Sequence, residues 1–120
     1  MALIMIADDS DAIRLVLKDI LSIGNYDDIL EACDGEESVN LYKKNKPSLV
    51  LLDLAMPKKD GLTVVQEIIQ FDPNAKIILI TASDDQKVIQ QCLASGASSY
   101  ISKPFDFNTI LKAISDLLAK

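Results

Sequence analysis

Leu49-Val50-Leu51-Leu52-Asp53-Leu54-Ala55-Met56-Pro57 is the stretch on which the fold turns. Four consecutive apolar residues read as a strand buried on both faces, as in the middle of a parallel sheet. The run stops at an acid, and Pro57-Lys58-Lys59-Asp60-Gly61 follows as a loop. A carboxylate at the carboxyl end of such a strand lies at the edge where open α/β sheets place their chemistry. Three other apolar runs end similarly. Leu3 to Ala7 ends in Asp8-Asp9, Ile77 to Ile80 ends in Thr81, and Tyr100-Ile101 leads into Ser102-Lys103-Pro104.

Helical periodicity fills the gaps. Ile13, Val16, Leu17, Ile20 and Leu21 fall at i, i+3, i+4, i+7 and i+8, and Gly24-Asn25 supplies the stop. Ile29–Cys33 reads as a weaker strand and Glu36–Asn45 as a helix halted by Pro47. Val64, Val65, Ile68 and Ile69 mark a third helix closing near Asp72-Pro73, before a strand over Lys76–Thr81. Val88, Ile89, Cys92 and Leu93 mark a fourth helix ended by Gly96. Ser99–Ser102 is a short strand, and Ile110, Leu111, Ile114, Leu117 and Leu118 mark a last helix running to the terminus. Five repeats of strand then helix predict an α/β fold, a parallel five-stranded sheet with helices on both faces. No linker, low-complexity stretch or sequence repeat interrupts it, so residues 1–120 are expected to form one domain without an appended effector.

The composition is that of an ordinary globular domain with one core: 120 residues, 49% hydrophobic and 25% charged. The net charge of −6 argues against nucleic acid or an anionic membrane as a partner. No apolar run approaches the ~20 residues of a membrane span, and the N-terminus does not resemble a signal peptide, so a cytoplasmic location is expected. Cys33 and Cys92 lack metal-ligand spacing and read as small buried thiols in a reducing compartment. The chain has no histidine. That excludes Ser/His and Cys/His nucleophiles, histidine metal ligation and a phosphohistidine within this chain.

In a parallel sheet every carboxyl end points to one edge, so Asp8, Asp9, Asp53, Thr81 and Lys103 share it. If the first strand neighbours the third, the three carboxylates come within a few ångströms. Bare, they would repel and at least one would hold a proton. Mg²⁺, which takes oxygen ligands, removes that conflict. Asp8-Asp9 beside Ser10 and Asp11 also reads as a helix N-terminal cap. Lys103 can pair with a carboxylate or with phosphoryl oxygens, and Thr81 offers a hydroxyl. An ionised Asp53 beside a cation can attack a phosphoryl group and form an acyl phosphate.

Taken together, Asp8-Asp9, Asp53, Met56-Pro57, Gly61, Thr81-Ala82 and Lys103-Pro104-Phe105 closely resemble the receiver domain of two-component response regulators. The likeness spans essentially the whole chain. It implies a flavodoxin-like (βα)5 fold with strand order 2-1-3-4-5, the order of CheY-like receivers, which the residues alone leave open. It implies that Asp53 accepts a phosphoryl group from a histidine kinase. It also implies that Asp9 and Asp53 ligate Mg²⁺ with the carbonyl of Ala55, Asp8 acting mainly through a metal-bound water. Thr81 and Lys103 would bind phosphoryl oxygens, and a cis Lys103-Pro104 bond would aim the lysine inward. Tyr100 matches the switch aromatic that turns when the threonine moves. A downstream protein would dock on the fourth helix, fifth strand and fifth helix, with Lys87, Gln91, Tyr100 and Ser102 as contacts. Ala55 departs from relatives that carry a polar side chain there. With Ser83 it would flank the path of attacking water and set the rate of phosphoryl loss.

Competing classes fit less well. A haloacid-dehalogenase-type phosphohydrolase needs a second acid two residues after the nucleophile, where Ala55 stands. A flavodoxin-like electron carrier needs a Ser/Thr/Gly phosphate loop where Asp8-Asp9-Ser10-Asp11 stands. A degenerate receiver acting only as a binding module is disfavoured, because every group expected for phosphoryl transfer is present. The expected protein is a stand-alone receiver, not otherwise an enzyme beyond its own phosphorylation and dephosphorylation.

Overall fold

A computed structural model describes residues 2–82 and 86–119. Strands and helices alternate from end to end: β1 (Ile4–Ala7), α1 (Asp11–Ile23), β2 (Ile29–Ala32), α2 (Gly35–Asn45), β3 (Leu49–Asp53), α3 (Gly61–Phe71), β4 (Ile77–Thr81), α4 (Gln86–Ala94), β5 (Ser99–Ser102) and α5 (Phe107–Leu118). The strands form one parallel sheet in the order β2-β1-β3-β4-β5, as the family resemblance implies.

The apolar runs of β1, β3 and β4 are buried along their whole length because each face meets helices. Met5, Ala7, Val50, Leu52, Ile77 and Leu79 face one core with Val39 and Tyr42 of α2, Val64, Val65 and Ile68 of α3, and Cys92 of α4. The alternate residues Ile4, Ile6, Leu49, Leu51, Ile78 and Ile80 face a second core with Leu17 and Leu21 of α1 and Ile110 and Ile114 of α5. That division follows from right-handed crossovers. The chain leaves β1 toward β2 on one face and β3 toward β4 on the other, so the loops after β1 and β3 diverge and leave a crevice between them.

Ser10, Asp34, Asp60 and Asp106 cap α1, α2, α3 and α5. Each side chain accepts the N–H three residues on, at 3.2, 2.7, 2.8 and 2.7 Å respectively. The cap of α1 is therefore Ser10, which leaves Asp8 and Asp9 for other work. Element ends differ from the sequence reading by a residue or so. Leu3 lies outside β1, Lys76 outside β4, and α2 starts at Gly35.

Cys33 corrects an expectation. Cys92 is buried, but Cys33 is exposed. Edge strand β2 ends at Ala32, whose side chain takes the last inward position. The N–H of Cys33 leaves the ladder and donates to Glu37 Oε1 at 2.9 Å, so its thiol stands at the rim.

Candidate functional site

Asp8 and Asp9 follow β1, Asp53 ends β3, Thr81 ends β4 and Lys103 follows β5. Parallel pairing aligns these ends: Ala7 lies opposite Leu52, Asp53 opposite Ile80, and Thr81 opposite Ser102. The expected convergence is present. Asp8, Asp9 and Asp53 each offer a carboxylate oxygen within 4.8 Å of the others. The Lys103 ammonium lies 3.5 Å from Asp8 Oδ2 and 3.8 Å from Asp53 Oδ1. Asp8, Asp53 and Thr81 are buried, whereas Asp9 is exposed. An open cleft of about 340 Å³ runs along Asp9, Asp53, Leu54, Ala55, Thr81, Ala82, Val88 and Lys103.

Its electrostatics are unbalanced. Lys103 is the one cation among the described residues lining the cleft, against Asp9 and Asp53 in its lining and Asp8 clustered with them. Burial pushes the Asp53 carboxyl above the usual carboxylate range, and the charges of Asp8 and Asp9 push the same way. The Ala55 N–H, which donates to Asp53 Oδ1 at 3.2 Å, and the Lys103 charge oppose the rise. Asp8 Oδ1 accepts the Ser10 N–H at 2.9 Å, but buried Asp8 Oδ2 has no hydrogen-bond donor among the described residues. Lys103 reaches it only as a 3.5 Å ion pair. A buried carboxylate oxygen without a donor, beside two more carboxylates, suits a hard cation with oxygen ligands. The acidic cluster can therefore hold a divalent metal.

The walls are built by loop contacts. The Lys103 N–H donates to the Thr81 carbonyl at 2.8 Å, tying the exits of β5 and β4 together. The Lys103–Pro104 bond is cis. After β3, the Gly61 N–H donates to the Leu54 carbonyl at 3.2 Å, and a Cβ on Gly61 would lie 2.7 Å from Leu54 Cα. Only glycine lets α3 start this close to the loop carrying Ala55. The same loop leans on α2: the Gly35 N–H donates to the Pro57 carbonyl at 3.1 Å, and Lys58 pairs with Asp34 at 3.5 Å.

Tyr100 is 39% exposed, on the α4 side of β5 and paired with Leu79. Ser102 shares its face by alternation, and Lys87 and Gln91 are exposed on α4. Ser83 lies outside the described residues. The sequence reading missed two supports. Arg14 donates to the main-chain carbonyl of Asp8 at 2.6 Å, and Gly35 abuts the loop after β3. Neither partner is near in sequence in a way that local pattern reveals, although a lone arginine between Ile13 and Leu17 was a visible clue.

Comparison with known proteins agrees with this geometry. Residues 4–115 match the family described as the response regulator receiver domain. Protein CcdB of Bacillus subtilis is 37% identical over 118 residues, 98% of each chain. The chemotaxis protein CheY of Thermotoga maritima is 37% identical over 111 residues, 92% of each. Among solved structures, a chain of the CheX–CheY–BeF3–Mg²⁺ complex from Borrelia burgdorferi superposes with a TM-score of 0.93. It is 35% identical, and the match covers 99% of this chain and 90% of that one.

Proposed function

Because the chain belongs to the response regulator receiver domain family of two-component signalling, we propose that it is a phosphorylation switch whose phosphoacceptor is Asp53. Residues 1–120 act as one receiver unit in this reading. The observation that carries it is the meeting of three carboxylates within 4.8 Å beside the Lys103 ammonium and the Thr81 strand end.

Asp9 and Asp53 would hold Mg²⁺ with the Ala55 carbonyl, and Asp8 would support the ion as the outer acid of the cluster. When bound, the cation offsets the charge that the acids and an incoming phosphoryl group bring together. An ionised Asp53 oxygen attacks the phosphorus of a phosphohistidine on the kinase. The new O–P bond forms as the P–N bond breaks, and the electron pair ends on the leaving nitrogen, giving a neutral imidazole that keeps the proton already on its other nitrogen. Lys103 and Thr81 bind the phosphoryl oxygens. Water later attacks the same phosphorus, the Asp53 O–P bond breaks, and inorganic phosphate leaves as the carboxylate returns. Ala55 puts no polar group in that water's path.

The approach of a protein donor is supported by an apolar hollow of about 470 Å³ next to the site, lined by Ile13, Val16, Ala82, Lys103, Pro104 and Phe105. Output uses the face of α4, β5 and α5. Thr81 is drawn to the phosphoryl group and Tyr100 turns with it, which changes what Lys87, Gln91, Tyr100 and Ser102 present to a downstream protein. The Borrelia relative, crystallised as a CheX–CheY–BeF3–Mg²⁺ complex, supports both the ion and a protein target as ligands of such a domain.

The test is intact-mass analysis after incubation with acetyl phosphate and Mg²⁺. A labile adduct of about 80 Da is expected on the wild type and none on Asp53→Asn. Absence of the adduct from the wild type, or its persistence in the variant, overturns the assignment. In the first case the domain is a phosphorylation-independent binding module.

A further inference from the structure

We propose that Arg14 is a positioning residue for the divalent-cation site, acting through the main chain of Asp8 and not through the cation. The inference rests on the reading of Asp8, Asp9 and Asp53 as that cation's acidic ligands. Arg14 lies in the first turn of α1, and its side chain is 12% exposed. Its Nη1 donates to the Asp8 carbonyl at 2.6 Å, its Nε to Glu31 Oε1 at 3.0 Å, and its Nη2 to Asp11. Lys18 holds the other oxygen of Glu31 at 3.2 Å. One planar fork thus joins the exit of β1, the start of α1 and edge strand β2.

The bonded carbonyl matters because it belongs to the peptide between Asp8 and Asp9. A peptide is a rigid plane, so its orientation fixes ψ of Asp8 and φ of Asp9. Those two torsions set how the Cα–Cβ bonds of Asp8 and Asp9, from which the carboxylates project, stand to each other. Asp8 is also held by the Ser10 N–H on Oδ1, but Asp9 stands exposed. The Arg14 bond therefore gives the Asp9 main chain an anchor that its own side chain does not need to supply. Lysine cannot reproduce this, because a single ammonium lacks donors spread widely enough to span three acceptors.

Charge alone predicts the opposite sign. A guanidinium near the site repels a divalent cation, so removing it would tighten binding if electrostatics ruled. Asp11 and Glu31 lie against the guanidinium and offset that repulsion. Positioning is then the larger effect, and removal weakens binding.

The experiment is calorimetric titration of Mg²⁺ into wild type, Arg14→Met and Arg14→Lys without any phosphodonor, alongside amide hydrogen exchange of the metal-free proteins. Arg14→Met is expected to weaken Mg²⁺ binding about 10-fold, the usual scale for losing a group that orients a ligand. The Ser10 amide should exchange faster while amides of β3 and β4 keep their protection. Arg14→Lys, which keeps the charge and is the safer variant for folding, should still lose several-fold in affinity by the same argument. Wild-type or tighter affinity in Arg14→Lys overturns the proposal, as does unchanged exchange at Ser10. If the wild type itself binds no Mg²⁺, the reading of the acidic site falls and this inference with it. If the wild type binds and both variants match it, only the role of Arg14 falls.

Discussion

Replacing Gly35 by alanine sets two effects against each other. Helix propensity favours the change by up to about 1 kcal/mol, because Gly35 opens α2. Packing opposes it. A Cβ at Gly35 would stand 2.2 Å from the Lys59 carbonyl oxygen and 2.6 Å from Lys59 Cβ. The first of these atoms is main chain, so no rotamer change relieves the clash. The loop must retreat by about 1 Å, an overpacking that costs roughly 1–3 kcal/mol. The retreat also stretches the 3.1 Å bond from the Gly35 N–H to the Pro57 carbonyl, for about 1 kcal/mol more. The losses exceed the gain, and a net destabilisation of about 2 kcal/mol follows. For a domain of this size that lowers Tm by roughly 5–10 °C. Urea unfolding followed by circular dichroism measures it as a lower midpoint at unchanged slope. The same loop carries Ala55, so Mg²⁺ affinity should fall in parallel. A variant with Tm at or above wild type would show that propensity outweighs the contact and that the loop is not braced by α2.

Asp53→Asn should raise the stability of the metal-free protein at neutral pH. Burial and the neighbouring acids raise the folded-state pKa of Asp53, so ionised Asp53 opposes folding above that pKa. The advantage of the variant should shrink as pH falls through the folded pKa toward the unfolded one, and Mg²⁺ should stabilise the wild type more than the variant; a pH-independent difference in urea midpoint refutes this. Cys33 should react with a thiol reagent in the native protein and Cys92 only on unfolding, as their exposures require. Cys33 should react more slowly than an ordinary exposed thiol, by about a fewfold, because Glu37 first, then desolvation and Asp34, push its pKa up. Equal rates for the two cysteines would contradict the placement of Cys33 past the end of β2.

The strand-end groups were legible because each announces itself locally. An apolar run that stops at an acid, a hydroxyl or a lysine marks both the strand and the edge it reaches, as Leu49–Asp53 does. Helices were equally plain, since the faces of Leu17, Ile20 and Leu21, or of Ile110 and Ile114, repeat with the helical period. Cys33 misled because a strand's last residue cannot be told from the first residue of the following loop by apolarity. Gly35 and Arg14 stayed hidden for another reason. What fixes their roles is a main-chain oxygen of Lys59, of Pro57 or of Asp8, and main-chain oxygens are the same in every sequence.

By itself, the order of residues determined the alternation of strand and helix and the set of groups that must share one sheet edge. Periodicity and chain direction are local properties, and they suffice for that. Only the folded chain decided that β1 lies beside β3, which brings Asp8 and Asp9 within reach of Asp53 and leaves Asp8 Oδ2 buried without a donor among the described residues. It likewise decided which loops brace the site. Distances between residues far apart in the chain are set by how two cores pack on the two faces of the sheet, and no local pattern encodes them.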